Sequence, residues 1–296
     1  MTSPVLRAEG LTKRYGQRVA LSDCTLSVPP GRVVGLVGPN GAGKTTLLQL
    51  AVGMLSPTAG TIEVVGGRPA SGAAQLAKVG FVAQDTPTYA NLSIADHLRL
   101  GARTNPRWDQ RTAEERIAQL GLDPGQKTGR LSGGQRAQIA LTMAIAKRPE
   151  LLILDEPVAA LDPMARREFM VSLAAYTAEH RTSVIFSSHV VSDLERVCDY
   201  VIVLVASRVR IAGGVDELTA GHQRLTGTRR TAADLPAGLQ VVEESHTSRQ
   251  STFVVRGGVP VEDPTLTAEP VDLEALVLAY MSQAVTSPRP EWEATR

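Results

Sequence analysis

The 296 residues are 43% hydrophobic and 21% charged, ordinary proportions for a folded globular chain and unlike those of a disordered or fibrous one. Lys and Arg total 31 against 30 for Asp and Glu, so the chain carries no one-sided field to attract nucleic-acid phosphates, and DNA or RNA binding is disfavoured. No apolar run approaches the roughly 18 residues of a membrane span, and the start of the chain has no export signal, so the sequence reads as cytoplasmic; Cys24 and Cys198 are too few for a disulfide framework or a zinc site.

The first strongly apolar run, residues 33–37, is β-branched and continuous, as a strand buried on both faces reads. A glycine-rich segment follows it, Gly38-Pro39-Asn40-Gly41-Ala42-Gly43-Lys44-Thr45, which runs into a helical pattern over 44–55, so that beyond the loop a helix continues from Thr46 to Leu55. Strand, glycine loop and helix is the context that makes GxxxxGK[ST] a phosphate-binding loop. Gly41 and Gly43 free the backbone to turn successive N–H groups toward one anion, and the helix N-terminus adds partial positive charge. Lys44 is placed to reach the β and γ phosphates, and the Thr45 hydroxyl to bind Mg²⁺.

Two helix starts follow, Ser93 with an acid three residues on and Thr112 with another, suggesting helices over 93–101 and 112–120 and a helical subdomain inserted at about 85–147. A helix over 136–147 leads to the apolar run 151–154, which ends in Asp155-Glu156. Adjacent acids at the carboxyl end of a buried strand lie where ligands of open α/β sheets bind. Asp155 is a candidate to hold Mg²⁺ and Glu156 a candidate general base for an attacking water, although such a pair taken alone also fits a solvated turn. The Ala-rich stretch 159–178 reads as helix, and 184–187 and 201–205 as further buried strands. Strands alternating with helices imply a doubly wound α/β core over 1–215. After Val215 buried apolar strands give way to Thr, Arg and Glu. Within 216–296, short paired strands at 239–243 and 251–255 and an amphipathic helix at 272–283 suggest a small α+β accessory domain.

At Leu131-Ser132-Gly133-Gly134-Gln135 the chain resembles the signature of the ATP-binding cassette (ABC) transporter ATPases, and it lies shortly before the Asp155-Glu156 strand, as in that family. The resemblance covers roughly the first two hundred residues and implies a P-loop NTPase core of ABC type, with ATP and Mg²⁺ as cofactors. It implies that Tyr15 stacks on adenine, that Gln84 contacts Mg²⁺ or the attacking water, that Asp162 crosses a dimer interface and that His189 contacts the γ-phosphate. A surface role for Tyr15 also fits the sequence. Ser132, Gly133, Gly134 and Gln135 are implied to close on ATP held by a second nucleotide-binding subunit, so a head-to-tail homodimer is expected. The remaining histidines, at 97, 180, 222 and 246, read as surface or packing residues.

The chain departs from the family at Gln138, where Arg is common, and at Val158-Ala159-Ala160; altered packing or interface affinity is the expected result. With no membrane span of its own, the resemblance implies a separate multi-span permease and a peripheral place on the cytoplasmic face of the membrane. The terminal segment Val271-Asp-Leu-Glu-Ala-Leu-Val-Leu resembles the helix that ends subunits of the drug and antibiotic export branch, although a helix packing on its own domain reads the same way. Export is the first reading and import a weaker one. The alternative class is a non-transport ABC ATPase acting on ribosomes or another macromolecular complex.

Overall fold

A computed structural model describes residues 3–180, 182–257 and 263–286. The chain opens on an antiparallel hairpin, β1 (Leu6–Tyr15) and β2 (Arg18–Val28), followed by β3 (Val33–Val37), α1 (Lys44–Ala51), β4 (Ala59–Val64), α2 (Ala73–Lys78) and β5 (Val79–Val82). Three helices come next, α3 (Ile94–Thr104), α4 (Gln110–Gln119) and α5 (Gly133–Ala146). Then follow β6 (Leu151–Leu154), α6 (Pro163–Glu179), β7 (Ser183–Ser188), β8 (Tyr200–Val205) and β9 (Arg208–Gly214). The last part comprises α7 (Val215–Ala220), β10 (His222–Thr228), β11 (Gln240–His246), β12 (Gln250–Arg256), β13 (Leu266–Pro270) and α8 (Leu273–Thr286).

The expected α/β core is present as a six-stranded sheet ordered β5-β6-β7-β3-β8-β9, parallel except for β9, with a three-stranded antiparallel sheet β2-β1-β4 beside it. Every residue of β6, β7 and β8 is buried, which is why these runs are continuous rather than alternating in sequence. One face of the sheet packs with α1 and the antiparallel sheet around Leu11, Leu36, Leu48 and Ile153, and the other packs with α5 and α6 around Leu141, Phe169 and Phe186. The order has one consequence for chemistry. β5, β6, β7 and β3 are parallel neighbours, so whatever follows their carboxyl ends converges on one edge.

Helices α3, α4 and α5 share a small core of their own built on Ile94, Leu98, Ile117 and Ile139. Ser93 caps α3 in a complete capping box with Asp96, as its spacing implies. Thr112, in contrast, does not start α4. Asp109 is the cap, accepting the Thr112 N–H at 3.0 Å, and the helix begins at Gln110. An aspartate one turn earlier supplied the same acceptor and took the position. Helix α1 ends at Ala51, short of 55, where Gly53 enters the left-handed region at φ 77°. Helix α5 begins at Gly133 rather than 136, because Ser132 and Gln135 form its capping box.

The expected loss of buried strands after residue 215 is overturned. A four-stranded antiparallel sheet, ordered β11-β12-β10-β13, buries Leu225, Phe253, Val255 and Leu266 on one face. Its other face is polar apart from the buried Val254: pairing sets Ser245, Thr252, Thr226 and Thr267 side by side across all four strands, with Glu243, Val254, Arg224 and Glu269 in the adjoining row. That polarity hid the strands from a reading based on apolar runs. Helix α8 carries Leu273, Leu276, Val277 and Tyr280 into the same buried cluster as Leu194, Val201 and Val203 of the main sheet region and Val242 and Val254 of the second sheet. The Glu195 carboxylate accepts the Glu274 N–H at 3.2 Å, fastening its first turn beside the segment that follows β7. Residues 287–296 of the expected accessory domain lie outside the described residues.

Candidate nucleotide-binding site

Four strand ends build the site. The glycine loop leaves β3, Gln84 follows β5, Asp155 and Glu156 follow β6, and Ser187 to His189 end β7. A cavity of about 420 Å³ is lined by Tyr15, Arg18, Ala20, Asn40, Gly41, Gly43, Lys44, Thr45, Thr46, Gln84, Glu156 and His189. Tyr15 is 46% exposed at its mouth, with the Lys13 ammonium 5.4 Å from its ring centre. Gly43 takes φ 108° at the cap of α1, and a Cβ there would meet the Ala20 carbonyl oxygen at 2.3 Å. No side chain caps α1, so its first N–H groups face the cavity, the arrangement that binds phosphate.

Lys44 is almost fully buried, and its ammonium donates to the carbonyl oxygens of Gly38 (2.8 Å) and Pro39 (3.4 Å). It also stands 3.4 Å from Glu156 Oε1, while Glu156 Oε2 is 3.3 Å from His189 Nδ1. One carboxylate therefore bridges the loop cation and the histidine. Beneath it, Asp155 Oδ1 accepts from the Thr45 hydroxyl at 3.1 Å and from the Ser187 hydroxyl at 2.8 Å. Burial pushes the Asp155 carboxyl above the ordinary range, and the Ser187 and Thr45 hydrogen bonds draw it part of the way back. Thr45 and Asp155 present adjacent hard oxygen donors next to the phosphate cradle, which fits Mg²⁺.

Ten expected residues thus meet in one cavity wall, with Asp155 one bond behind Thr45. Gly38, Pro39 and Ala42 shape the loop without lining the cavity. Ser132, Gly133, Gly134, Gln135 and Asp162 do not join it. Ser132 caps α5, Asp162 caps α6 by accepting the Met164 and Ala165 N–H groups at 3.0 Å, and a Cβ on Gly134 would lie 2.7 Å from Ala165 Cβ. These residues form a second cluster where two helix N-termini lie side by side. Arg18 and Ser187 were missed by sequence reasoning. Arg18 pairs with Tyr15 across the first hairpin, a register that could have been read from the two-residue turn; Ser187 needed knowledge that β6 and β7 are neighbours.

Comparison with known proteins agrees with this geometry. The family model described as "ABC transporter" matches residues 21–159. An uncharacterized ABC transporter ATP-binding protein, YxlF of Bacillus subtilis (strain 168), is 33% identical over 225 residues, 74% of either chain. The chain belongs to the ABC transporter ATP-binding proteins. As an ABC ATPase it binds and hydrolyses ATP. The bacitracin transport ATP-binding protein BcrA of Enterococcus faecalis is 29% identical over 257 residues, covering 86% of this chain and 82% of BcrA. The sulfate/thiosulfate import ATP-binding protein CysA 1 of Agrobacterium fabrum is 31% identical over 223 residues, 72% of this chain and 64% of CysA 1. A solved ATP-binding subunit of an ABC transporter superposes with a TM-score of 0.65 at 27% identity, covering 72% of this chain and 91% of that one. Where ABC ATPases often carry Arg, Gln138 is buried in α5, and neither polar atom of its side chain has a hydrogen-bond partner among the described residues.

Proposed function

We propose that this ABC ATPase powers export of a drug, antibiotic or other small molecule through a separate multi-span permease, working as a head-to-tail homodimer at the cytoplasmic face of the membrane. The observation that carries the dimer is the division of the machinery between two places: the cavity holds the P-loop, Glu156 and His189, whereas Ser132, Gly133, Gly134 and Asp162 lie outside it at two adjoining helix N-termini. Each half completes the other's site in a second copy. An apolar groove lined by Met54, Leu76, Phe81, Tyr89 and Leu100, beginning beside the segment after Gln84, supports docking of a permease helix; Met54 and Tyr89 are each 65% exposed there. Export is favoured because the match to BcrA runs over 257 residues and so reaches well into 216–296, whereas the import subunit CysA 1 matches over 223 residues, little more than the cassette of 1–215.

The mechanism follows from the contacts. Adenine rests on Tyr15, and the phosphates take the free N–H groups at the start of α1. Lys44 exchanges its contact with Glu156 for the β and γ phosphates, which turns the Glu156 carboxylate toward the attacking water. The Thr45 hydroxyl and the Asp155 carboxylate would hold Mg²⁺, which would supply positive charge against the polyphosphate. Gln84 orients the water, and Glu156 takes its proton as the new O–P bond forms and ADP departs. His189, in contact with Glu156, holds the γ-phosphate. Loss of that phosphate opens the dimer and drives the permease.

The test joins catalysis to partner. Glu156→Gln lowers turnover by about 10²–10⁴-fold while ATP binding persists, and the wild-type chain drawn from its native membranes in detergent brings a multi-span membrane protein with it. Near-normal hydrolysis by the variant removes Glu156 from its role. Recovery with ribosomes or DNA-bound proteins overturns the transport reading.

A further inference from the structure

We infer that Ser187 is the positioning residue that sets the Glu156 carboxylate for catalysis, through a hydrogen-bonded link between the neighbouring ends of β6 and β7. The inference rests on the reading of Glu156 as general base. Glu156 adopts φ 44°, in the left-handed region that a long side chain rarely enters, so something outside its own backbone preference must hold it. Ser187 does so. Its hydroxyl accepts the Glu156 N–H at 2.8 Å and donates to Asp155 Oδ1, also at 2.8 Å.

One side chain therefore fixes the peptide between the two acids and the carboxylate that precedes it. Among the described residues the Glu156 N–H makes no other hydrogen bond. Asp155 keeps a second anchor, since Thr45 bonds to the same Oδ1 at 3.1 Å. Losing the Ser187 hydroxyl thus costs Asp155 one of two hydroxyl partners but leaves the Glu156 peptide without its restraint, and the burden falls on the base rather than on the metal-facing acid.

Ser187 is fully buried in β7 and does not line the cavity, so it acts through the two acids it holds, Glu156 above all. Strand pairing makes the link possible. Leu154 pairs with Phe186, so Asp155, the first residue beyond β6, comes beside Ser187, which is still held in β7 by its pairing with Leu36 of β3. The γ-phosphate side is tied to the same place, because His189 is two residues beyond Ser187 and its ring contacts Glu156. Ser187 thereby keeps the base and the histidine in register.

Four variants and the wild type decide the matter, each assayed for steady-state hydrolysis, single-turnover hydrolysis and binding of a fluorescent ATP analogue. Ser187→Ala is expected to lower kcat by about 10–100-fold, the loss that accompanies misplacement of a reacting group by about 1 Å, with KM and analogue binding within about threefold of wild type. Ser187→Thr keeps the hydroxyl on a residue suited to a strand and is expected to restore kcat to within about threefold. In Glu156→Gln the serine has no catalytic base left to position, so adding Ser187→Ala is expected to slow single turnover by less than about twofold more. A kcat near wild type for Ser187→Ala overturns the inference, as does an undiminished further loss in the Glu156→Gln background, or a Thr variant that binds the analogue yet is as slow as the Ala variant. If Glu156→Gln alone hydrolyses ATP normally, the reading of Glu156 fails and takes the inference with it, an outcome distinct from the first three.

Discussion

Leu276→Ala probes whether the terminal helix belongs to the cassette's core or merely hangs beside it. Leu276 is fully buried in α8, in the cluster that joins Leu194 and Val203 to Val242 and Val254. Removing three carbons forfeits about 2.4 kcal/mol at ~0.8 kcal/mol per methylene, and a rigid wall between two sheets leaves part of the vacated volume as a cavity, bringing the total to about 3–4 kcal/mol. With a urea dependence of about 3 kcal/mol per molar, the unfolding midpoint falls by roughly 1 M. Unfolding is followed by circular dichroism and, in parallel, by release of a bound fluorescent ATP analogue. Because one cluster spans both sheets, the two probes shift together. An unchanged nucleotide-release midpoint beside an early transition in circular dichroism refutes the shared core.

Gly38→Ala abolishes ATP binding, because its Cβ would stand 2.0 Å from the Leu204 carbonyl oxygen, backbone that cannot yield without moving the loop; titration with the ATP analogue reads the loss. Asp155→Asn keeps an acceptor for Thr45 and Ser187 but removes a buried charge, so it raises the urea midpoint at neutral pH while eliminating Mg²⁺-dependent hydrolysis. The sign follows from the raised carboxyl: wild-type stability is favoured below the ordinary aspartate range and lost as pH rises through the raised pKa, a dependence the Asn variant lacks. His222 donates from Nδ1 to the Leu218 carbonyl at 2.6 Å, leaving Nε2 to accept from the Tyr280 hydroxyl at 2.9 Å, and burial pushes its pKa down. Stability is therefore complete above about pH 6.5 and falls as pH drops toward the depressed value; His222→Gln flattens that slope in urea unfolding between pH 5 and 8.

What could be read in advance was what is local in sequence. The P-loop, the Asp155-Glu156 pair and the Ser93 cap each carry their partners within a few residues, so spacing alone exposes them. Ser187 carries no such mark, because its two hydrogen bonds cross from β7 to β6 over about thirty residues of chain. Arg18 sits in the same position of disadvantage, entering the cavity only because the first hairpin folds it back beside Tyr15. The start of α4 was misread because Asp109 and Thr112 are both able caps, and the one nearer the chain's N-terminus prevailed. The second sheet was half legible: its pair β11 and β12 was expected, whereas β10 and β13 were not, since Arg224, Thr226, Thr267 and Glu269 mask the apolar face carried by Leu225 and Leu266.

The row of hydroxyls across that second sheet resolves a conflict between order and solubility. Threonine has the branched Cβ that favours extended backbone, yet ends in a group that water can solvate. Three threonines and Ser245 in line, beside Arg224 flanked by Glu269 and Val254, let a broad sheet face form that is mostly polar to a neighbouring chain. A face of this kind keeps its water when a second copy comes near, because burying hydroxyls and charges gains nothing that water does not already supply.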